Sequence, residues 1–244
     1  MSMKDISTMT WKETKELFSQ GGLMGYLTPL ILLAAGGVVF PLLSWSSWVQ
    51  LGSLEIPFIL LLAYQLIVAS AADSFAGERE RHTLETLLAS RMPDRAILLG
   101  KVGTLVAYGW GMNFSLLLLG WLAINIVHWQ GHLVFYPLDL LFLTFALGLL
   151  VNILAASAGV LVSLRSATAR QAQQILSVGG LVAMLGITFG LLELTSNLLP
   201  SMGIVLSVTQ LLALLLGLLA VIDTIVLALA LARFQRSLLM LIGK

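Results

Sequence analysis

The chain has 244 residues, of which 59% are hydrophobic and only 10% are charged. In soluble domains only about half of the residues are apolar. The mean hydropathy of this chain, +0.99, is also high. The composition therefore predicts an all-α, polytopic membrane protein. Because the chain has no cysteine, disulfide frameworks, thiolate metal sites and cysteine nucleophiles are excluded. The net charge of +1 says little, since in a membrane protein the position of the charges matters more than their sum.

An amphipathic segment precedes the first long apolar stretch. Trp11, Thr14, Leu17 and Phe18 share one face of a helix, with charged residues around the other faces. We expect residues 1–22 to form an amphipathic helix that lies along the cytoplasmic membrane surface. The segment either only anchors the first span or also contacts a partner, and the sequence leaves both interpretations open.

Six apolar stretches follow, each long enough for the roughly 20 residues that a spanning helix needs. They cover residues 24–45, 54–76, 97–127, 138–164, 173–192 and 203–232. The thirteen Lys and Arg residues all fall near the two chain ends or in alternate connections, and the other three connections contain none. By the positive-inside bias, this pattern predicts a multi-pass protein of the cell (inner) membrane with both termini in the cytoplasm.

The connections without basic residues are too short to hold a folded domain. We therefore expect one transmembrane domain over residues 1–244. Residues 191–203, which include Asn197 and Pro200, are expected to form a short re-entrant or interfacial segment at the outer face.

Residues 77–101 form a charged island between the second and third apolar stretches and hold five of the thirteen basic residues. The island begins with Glu78, Arg79, Glu80 and Arg81 and continues with leucines at helical spacing, which predicts a short amphipathic helix. A proline and an aspartate then predict a break before the next helix. The composition of the island fits an ordinary positive-inside loop with solvated charges. It also fits a surface on which a partner protein docks.

The order of residues over 73–101 resembles the intracellular loop of ABC-2 type transporter permeases. The matching residues are Glu78, Arg79, Glu80, Arg81, Thr83, Leu84, Glu85, Leu87, Leu88, Ile97, Leu98, Leu99, Gly100 and Lys101. Two positions depart from the family pattern. His82 replaces the glycine that usually precedes the threonine, and the usual proline comes later, at Pro93. Six spans and cytoplasmic termini also fit this family.

The resemblance implies that the island forms a cytoplasmic coupling helix between spans two and three, which seats in a groove of a separate ABC ATP-binding subunit. The candidate ATPase-coupling residues are Glu78, Arg79, Glu80, Arg81, Thr83 and Glu85. Alternating carboxylates and guanidiniums suit directional contacts with such a partner. The resemblance also implies a dimer, with a second copy or a sister permease, that binds two ATPase subunits. ATP and Mg would be held by the ATPase, and no cofactor by this chain.

The sequence itself predicts neither an ATP site nor catalysis. The Gly-Lys pair at 100–101 is followed by Val102 where a phosphate-binding loop has Ser or Thr. Chemistry inside a membrane would need clustered His, Asp or Glu, and the histidines at 82, 128 and 132 lie outside the six stretches. We expect no metal site and no nucleic-acid partner, and membrane lipid as the surroundings.

Polar residues inside the apolar stretches cost free energy unless they face protein or water. Asp223 lies about halfway across a core of roughly 30 Å. It is either part of a substrate path or an acid that holds helices together. Asn113, Asn152 and Gln65 allow the same two interpretations, because amides often only link helices. Asp73, at the end of the second stretch, is expected to cap or pair with the charged island.

Gly103, Ala107, Gly111 and Ser115 form a stripe of small residues along the third apolar stretch. Such stripes allow close contact between helices. We expect this stripe to pack within the chain rather than against a second copy.

Together with these patterns, the resemblance implies the transmembrane permease subunit of an ATP-driven ABC-2 type exporter. It would move a hydrophobic or amphipathic substrate, such as a lipid, drug or peptide, outward by alternating access. Two alternatives stay open: a proton-coupled secondary transporter that uses Asp223, and a non-transporting membrane scaffold whose island recruits a partner.

Overall fold

The computed structural model describes residues 3–19, 22–51, 54–83, 93–201 and 207–234. Within these ranges every regular element is a helix. The α-helices are α1 (Met3–Ser19), α2 (Gly22–Ala34), α3 (Phe40–Leu43), α4 (Trp45–Val49), α5 (Glu55–Ala72), α6 (Glu78–Glu80), α7 (Asp94–Val127), α8 (Leu138–Arg165), α9 (Ala169–Glu193), α10 (Leu199–Ser201) and α11 (Val208–Arg233). Three π-helical turns, Ala35–Val39, Asp73–Gly77 and Leu194–Leu198, join α2 to α3, α5 to α6 and α9 to α10.

Six helical segments of the described residues are long and apolar enough to cross a membrane, which confirms the prediction of an all-α protein with six candidate spans. They are Gly25–Leu43, Glu55–Glu80, Asp94–Val127, Leu138–Arg165, Ala169–Gly190 and Thr209–Arg233. The third segment has 34 residues and is about 51 Å long at 1.5 Å per residue. It therefore extends beyond a core of roughly 30 Å, and its first turns reach past the apolar layer.

The middle of the bundle is formed by α5 and α8, which pack against each other and against α7. The apolar window of the second span is 56% buried and that of the fourth is 50% buried, whereas the first and fifth spans are each 17% buried. The first and fifth spans therefore present most of their surface outward. In a membrane that surface faces lipid or another protein chain.

We call the end of the bundle formed by α1, α6 and the first turns of α7 the basic end, because most of the described Lys and Arg residues lie there. The helix α1 packs against α7. Met9 is fully buried and lies so close to Gly100 that a Cβ there would be 2.6 Å from the Met9 Cγ. Trp11 on α1 is exposed. The side of α1 that carries Met9 and Leu17 therefore faces the protein.

The opposite end is held together by polar groups of the connection between α7 and α8. The indole N–H of Trp48 donates to the Tyr136 hydroxyl at 3.1 Å, and that hydroxyl donates to the Leu117 carbonyl at 3.1 Å. Asn125 accepts from the Val134 N–H and donates to its carbonyl. These bonds tie the connection to the third span.

The two glycines of the small-residue stripe on α7 do not pack against any described part of the chain, which contradicts the expectation of packing within the chain. A Cβ added at Gly103 or Gly111 would meet no atom within 4 Å. The close contacts are made on another face of α7. There, a Cβ at Gly109 would clash with Ile67 and lie 3.0 Å from the Asn152 Cγ. Spacing alone does not say which face of a uniformly apolar helix turns inward.

The predicted outer segment 191–203 is described only as far as Ser201. Over these residues the chain continues from α9 through the π-helical turn into α10. The remaining residues, 202 and 203, lie outside the described ranges.

Candidate functional site

The π-helical turn Asp73–Gly77 is bound to α8 through one hydroxyl. Ser163 accepts from the N–H groups of Phe75, at 3.1 Å, and Ala76, at 2.9 Å, and donates to the Ala72 carbonyl at 2.8 Å. These three bonds use the full hydrogen-bonding capacity of a hydroxyl. A π-turn interrupts the regular helical ladder and is often found at functional sites, and here one residue of α8 satisfies the backbone groups it frees.

Lys101, on α7, is the centre of a buried ionic cluster. Its side chain is 1% exposed, and its Nζ donates to Glu13 at 2.9 Å, to Glu78 at 3.1 Å and to the Ser74 carbonyl at 3.0 Å. The three donors of the ammonium group therefore each have an acceptor. These bonds join α1, the π-helical turn, α6 and α7.

Lys12 completes the cluster from the solvent side. Its Nζ lies 3.3 Å from Glu16 and 3.4 Å from Glu78. Burial disfavours the charged form of Lys12, but the carboxylates of Glu78, Glu13 and Glu16 outweigh it and raise the pKa of Lys12. Burial raises the pKa of Glu13, against the opposing effect of the Lys101 ammonium group. We call Lys12, Glu13, Glu16, Glu78 and Lys101 the Lys101 cluster.

Two residues of the charged island bind the ends of neighbouring helices. The Arg79 guanidinium donates to the carbonyls of Leu164 and Ser166, at 3.0 Å each, at the C-terminus of α8. The Glu80 carboxylate accepts from the N–H of Ala169, the first residue of α9, at 3.1 Å. A cation at a helix C-terminus and an anion at a helix N-terminus both complement the helix dipole.

Arg81 forms a bidentate ion pair with Asp73 at 2.8 and 3.2 Å, which confirms the prediction that Asp73 pairs with the island. Both side chains are about 40% exposed. The next residue, His82, has a φ of +55°, in the left-handed region that favours glycine. The Thr83 hydroxyl then donates to the Glu78 carbonyl at 3.2 Å, which closes the chain reversal after α6.

The described candidate coupling residues of the island lie close together, and most of their contacts are with other helices of this chain. Glu78 is 3% exposed and faces lysines of α1 and α7. Glu80, Arg81 and Thr83 are exposed and have surface left for a partner. Glu85 and the predicted coupling helix around it lie outside the described residues.

A cavity of about 550 Å³ opens beside the Lys101 cluster, between α1, α2, α5, α7 and α9. Carboxylates of the cluster form one wall. Leu17, Pro29 and Leu66 lie on its apolar side. The cavity is therefore amphipathic, charged at the basic end and apolar toward the spans.

Three of the predicted substrate-path residues lie at a similar depth in the spans. Asn113, Asn152 and Asp223 are each fourteen or fifteen residues from the end of their helix opposite the basic end. Their side chains are almost completely buried, and none of their side-chain N or O atoms has a hydrogen-bond partner among the described residues. Such groups are costly to bury alone. A Cβ at Gly148 would lie 2.7 Å from the Asn113 Nδ2.

Gln65, the fourth predicted substrate-path residue, has a structural contact instead. The Ser177 hydroxyl of α9 donates to its Oε1 at 3.3 Å. This bond links α5 to α9, which is the helix-linking role that an amide can take in a membrane protein.

Sequence reasoning did not identify Ser163 or Glu13 as parts of this site. A serine in an apolar helix is too common to signal a role, and Glu13 was assigned to the charged side of a surface helix. Lys101 was noted only as the end of the motif. A lysine that follows an apolar triplet inside a long apolar helix was the available signal, since a buried lysine requires acidic partners.

Comparison of the chain with protein-family models, with curated proteins and with solved structures gave no match.

Proposed function

We propose that the chain is the permease subunit of an ATP-driven ABC-2 type exporter, with both termini in the cytoplasm and the basic end at the cytoplasmic face. The observation that carries the proposal is the ordered motif over residues 73–101. The geometry at His82 supports it, because this residue stands where the motif has glycine and its φ is +55°. A family preference for glycine at this position is what a left-handed turn would produce.

The contacts of the island support a coupling role. Residues of α6 bind the Lys101 cluster on α1 and α7, the C-terminus of α8 and the N-terminus of α9. A displacement of this short helix would therefore be carried to four other helices, through a buried ion pair to α7 and through less buried polar contacts to α1, α8 and α9. A contiguous network of this kind is a physical route for coupling. In the proposed complex, an ATP-binding subunit moves the island, and the spans respond.

The ATPase is a separate chain in this proposal, present in two copies, and it holds the ATP and Mg. The second half of the transporter is another copy of this chain or a sister permease. The outward surface of the first and fifth spans, each 17% buried, is available for that half. The open side of the small-residue stripe on α7 is available as well.

The spans support a hydrophobic or amphipathic substrate. An apolar cavity of about 290 Å³ lies between α5, α8, α9 and α11, with Leu219 in its wall. Asp223 lies one turn further along the same side of α11. Uncharged walls with few polar groups suit a lipid, drug or hydrophobic peptide better than a small ion.

The first test is affinity purification of the chain from its native membranes in mild detergent, followed by mass spectrometry. A stoichiometric ATP-binding subunit is the expected result. Docking at the island is then tested with Glu80→Lys and Glu85→Lys, and Asp139→Lys at the opposite end serves as the control. Loss of the ATPase from the island variants alone supports docking there. Retention in all three variants removes the docking role.

A proton-coupled transporter is the second candidate, and the buried carboxylate of Asp223, with both oxygens unpartnered, is the observation that favours it. An acid in this position can carry a proton across a span. The test is substrate movement in proteoliposomes under an imposed pH gradient without ATP. Gradient-driven movement that Asp223→Asn abolishes would favour this candidate over the exporter.

A further inference from the structure

The Lys101 cluster carries one more negative than positive charge. The carboxylates of Glu13, Glu16 and Glu78 lie within 4.8 Å of one another. Among the residues that the structure describes, two ammonium groups, those of Lys12 and Lys101, are bound to them. Three carboxylates against two ammonium groups leave one uncompensated negative charge.

The excess charge lies next to a group with unused hydrogen-bonding capacity. Glu78 is 3% exposed, and both lysines bind its Oε1. Its Oε2 is buried and has no hydrogen-bond partner in the part of the chain that the structure describes. A buried carboxylate oxygen without a partner is costly. The arrangement therefore favours a further cation donor close to Glu78.

The remaining charged groups around the cavity do not cancel this excess. Asp73 is paired with Arg81. Glu80 accepts from the N-terminus of α9, and Arg170 of the same helix also lines the cavity. Among the described residues, the walls hold five carboxylates and three basic side chains, and the adjoining Lys12 is a fourth basic group. The cavity as a whole therefore has an acidic lining.

The lining of the cavity also restricts the kind of molecule that can fill it. All three glutamates of the Lys101 cluster line it, together with the apolar side chains of Pro29 and Leu66. One molecule in its 550 Å³ would therefore meet carboxylates at one end and hydrocarbon at the other. A small inorganic ion would use only the charged end.

We propose that this cavity binds an amphipathic organic cation, with its ammonium head at Glu16 and Glu78 and its apolar tail against Leu17, Pro29 and Leu66. The inference rests on the proposed function in that such a cation would be a member of the exported substrate class. A divalent metal fits less well, because the ammonium groups of Lys12 and Lys101 would repel a doubly charged ion more strongly than a singly charged one, and because a bare ion would leave the apolar end of the cavity unused.

The test measures binding of radiolabelled octylamine to the full chain in nanodiscs of zwitterionic lipid, without an ATPase. Octylamine carries a positive head at neutral pH, and octanol and octyl sulfate have the same chain without that charge. Saturable binding of octylamine that neither control displaces is the expected result. Equal displacement by octanol would show that hydrocarbon alone is recognised, and it would overturn the proposal.

Two variants change the excess charge in opposite directions. Glu16→Gln removes it without touching Lys101, and it should weaken octylamine binding about tenfold, the effect of one lost charge-assisted contact. Lys12→Gln increases the excess and should tighten binding. Asp139→Asn, an acid at the opposite end of the bundle, is the matched control and should leave binding unchanged. Equal affinity in Glu16→Gln and the wild type would overturn the proposal.

Magnesium tests the remaining alternative. If Mg²⁺ displaces octylamine and itself loses binding in Glu16→Gln, the site belongs to a metal and the proposal is wrong. Failure of this inference is distinct from failure of the exporter proposal. Octylamine binding without a copurified ATPase would contradict only the exporter, and a copurified ATPase without octylamine binding would contradict only this site.

Discussion

The Nζ of Lys101 lies 2.9 Å from the carboxylate of Glu13, a residue 88 positions earlier in the chain. The lysine is on a spanning helix and the glutamate is on the helix that precedes the first span. The pair therefore fixes α1 against the third span. Together with Glu78, the Glu13 carboxylate also compensates the positive charge of Lys101, whose side chain is only 1% exposed.

We expect Lys101→Met to destabilise the protein by about 3 to 5 kcal/mol, because it leaves the Glu13 and Glu78 carboxylates buried without their main partner. Thermal unfolding in detergent measures the loss. Lys12→Met is the matched control. Since the Lys12 side chain is 37% exposed, its removal should cost about 1 kcal/mol or less. Equal losses in the two variants would contradict the central role of Lys101.

Ser163→Ala should cost about 2 to 4 kcal/mol, because the N–H groups of Phe75 and Ala76 lose their acceptor in a buried site. Ser157→Ala is the control on the same helix. Its hydroxyl donates at 2.7 Å to the carbonyl of Ile153, within α8, so its loss should cost less than about 1 kcal/mol. The comparison uses unfolding midpoints. If the control costs as much as Ser163→Ala, the π-helical turn does not depend on Ser163.

Gly109→Ala and Gly111→Ala test which face of α7 packs within the chain. The first variant places a methyl group against Ile67 and Asn152 and should destabilise by about 1 to 3 kcal/mol. The second meets no atom within 4 Å and should be neutral or stabilising by up to about 1 kcal/mol, through helix propensity. Both are measured by thermal unfolding of the detergent-solubilised chain. A reversed order would place the packed face on the small-residue stripe.

His82→Gly should stabilise the protein by about 1 kcal/mol, because a left-handed conformation is strained for a residue with a Cβ. His132→Gly is the control, since His132 is also exposed and lies outside the positive-φ positions. Unfolding midpoints of both variants give the comparison. Destabilisation by His82→Gly would show that the imidazole makes a contribution larger than the backbone strain.

The pH dependence of stability tests Glu13. Burial raises its pKa above the ordinary value of 4.5, so the folded protein binds this proton more tightly than the unfolded chain. We expect the stability of the wild type, relative to Glu13→Gln, to rise as the pH falls from neutral. The difference should level off below a pH of about 4.5, where both states carry the proton. Unfolding midpoints over this range measure it, and a difference that shrinks on acidification would contradict the prediction.

The six spans could be predicted from the sequence, because an apolar run of about 20 residues has few stable alternatives to a helix in lipid. The ion pair of Asp73 was also predictable, since its partner Arg81 comes only eight residues later along the same helical path. These are local properties, and they depend on composition and short spacings.

The packed face of α7 was not predictable, because a helix that is apolar on every side has no amphipathic pattern to show which face turns inward. The partners of Lys101 and Ser163 could not be predicted either, for a second reason. Each lies on a helix distant in sequence, and only the crossing of packed helices brings the groups within hydrogen-bonding distance. The sequence by itself determined the number of spans and the concentration of charge at one end. The tertiary structure decided that these charges bind mainly to each other and to helix ends, because a buried charge is tolerated only where packing supplies its partner.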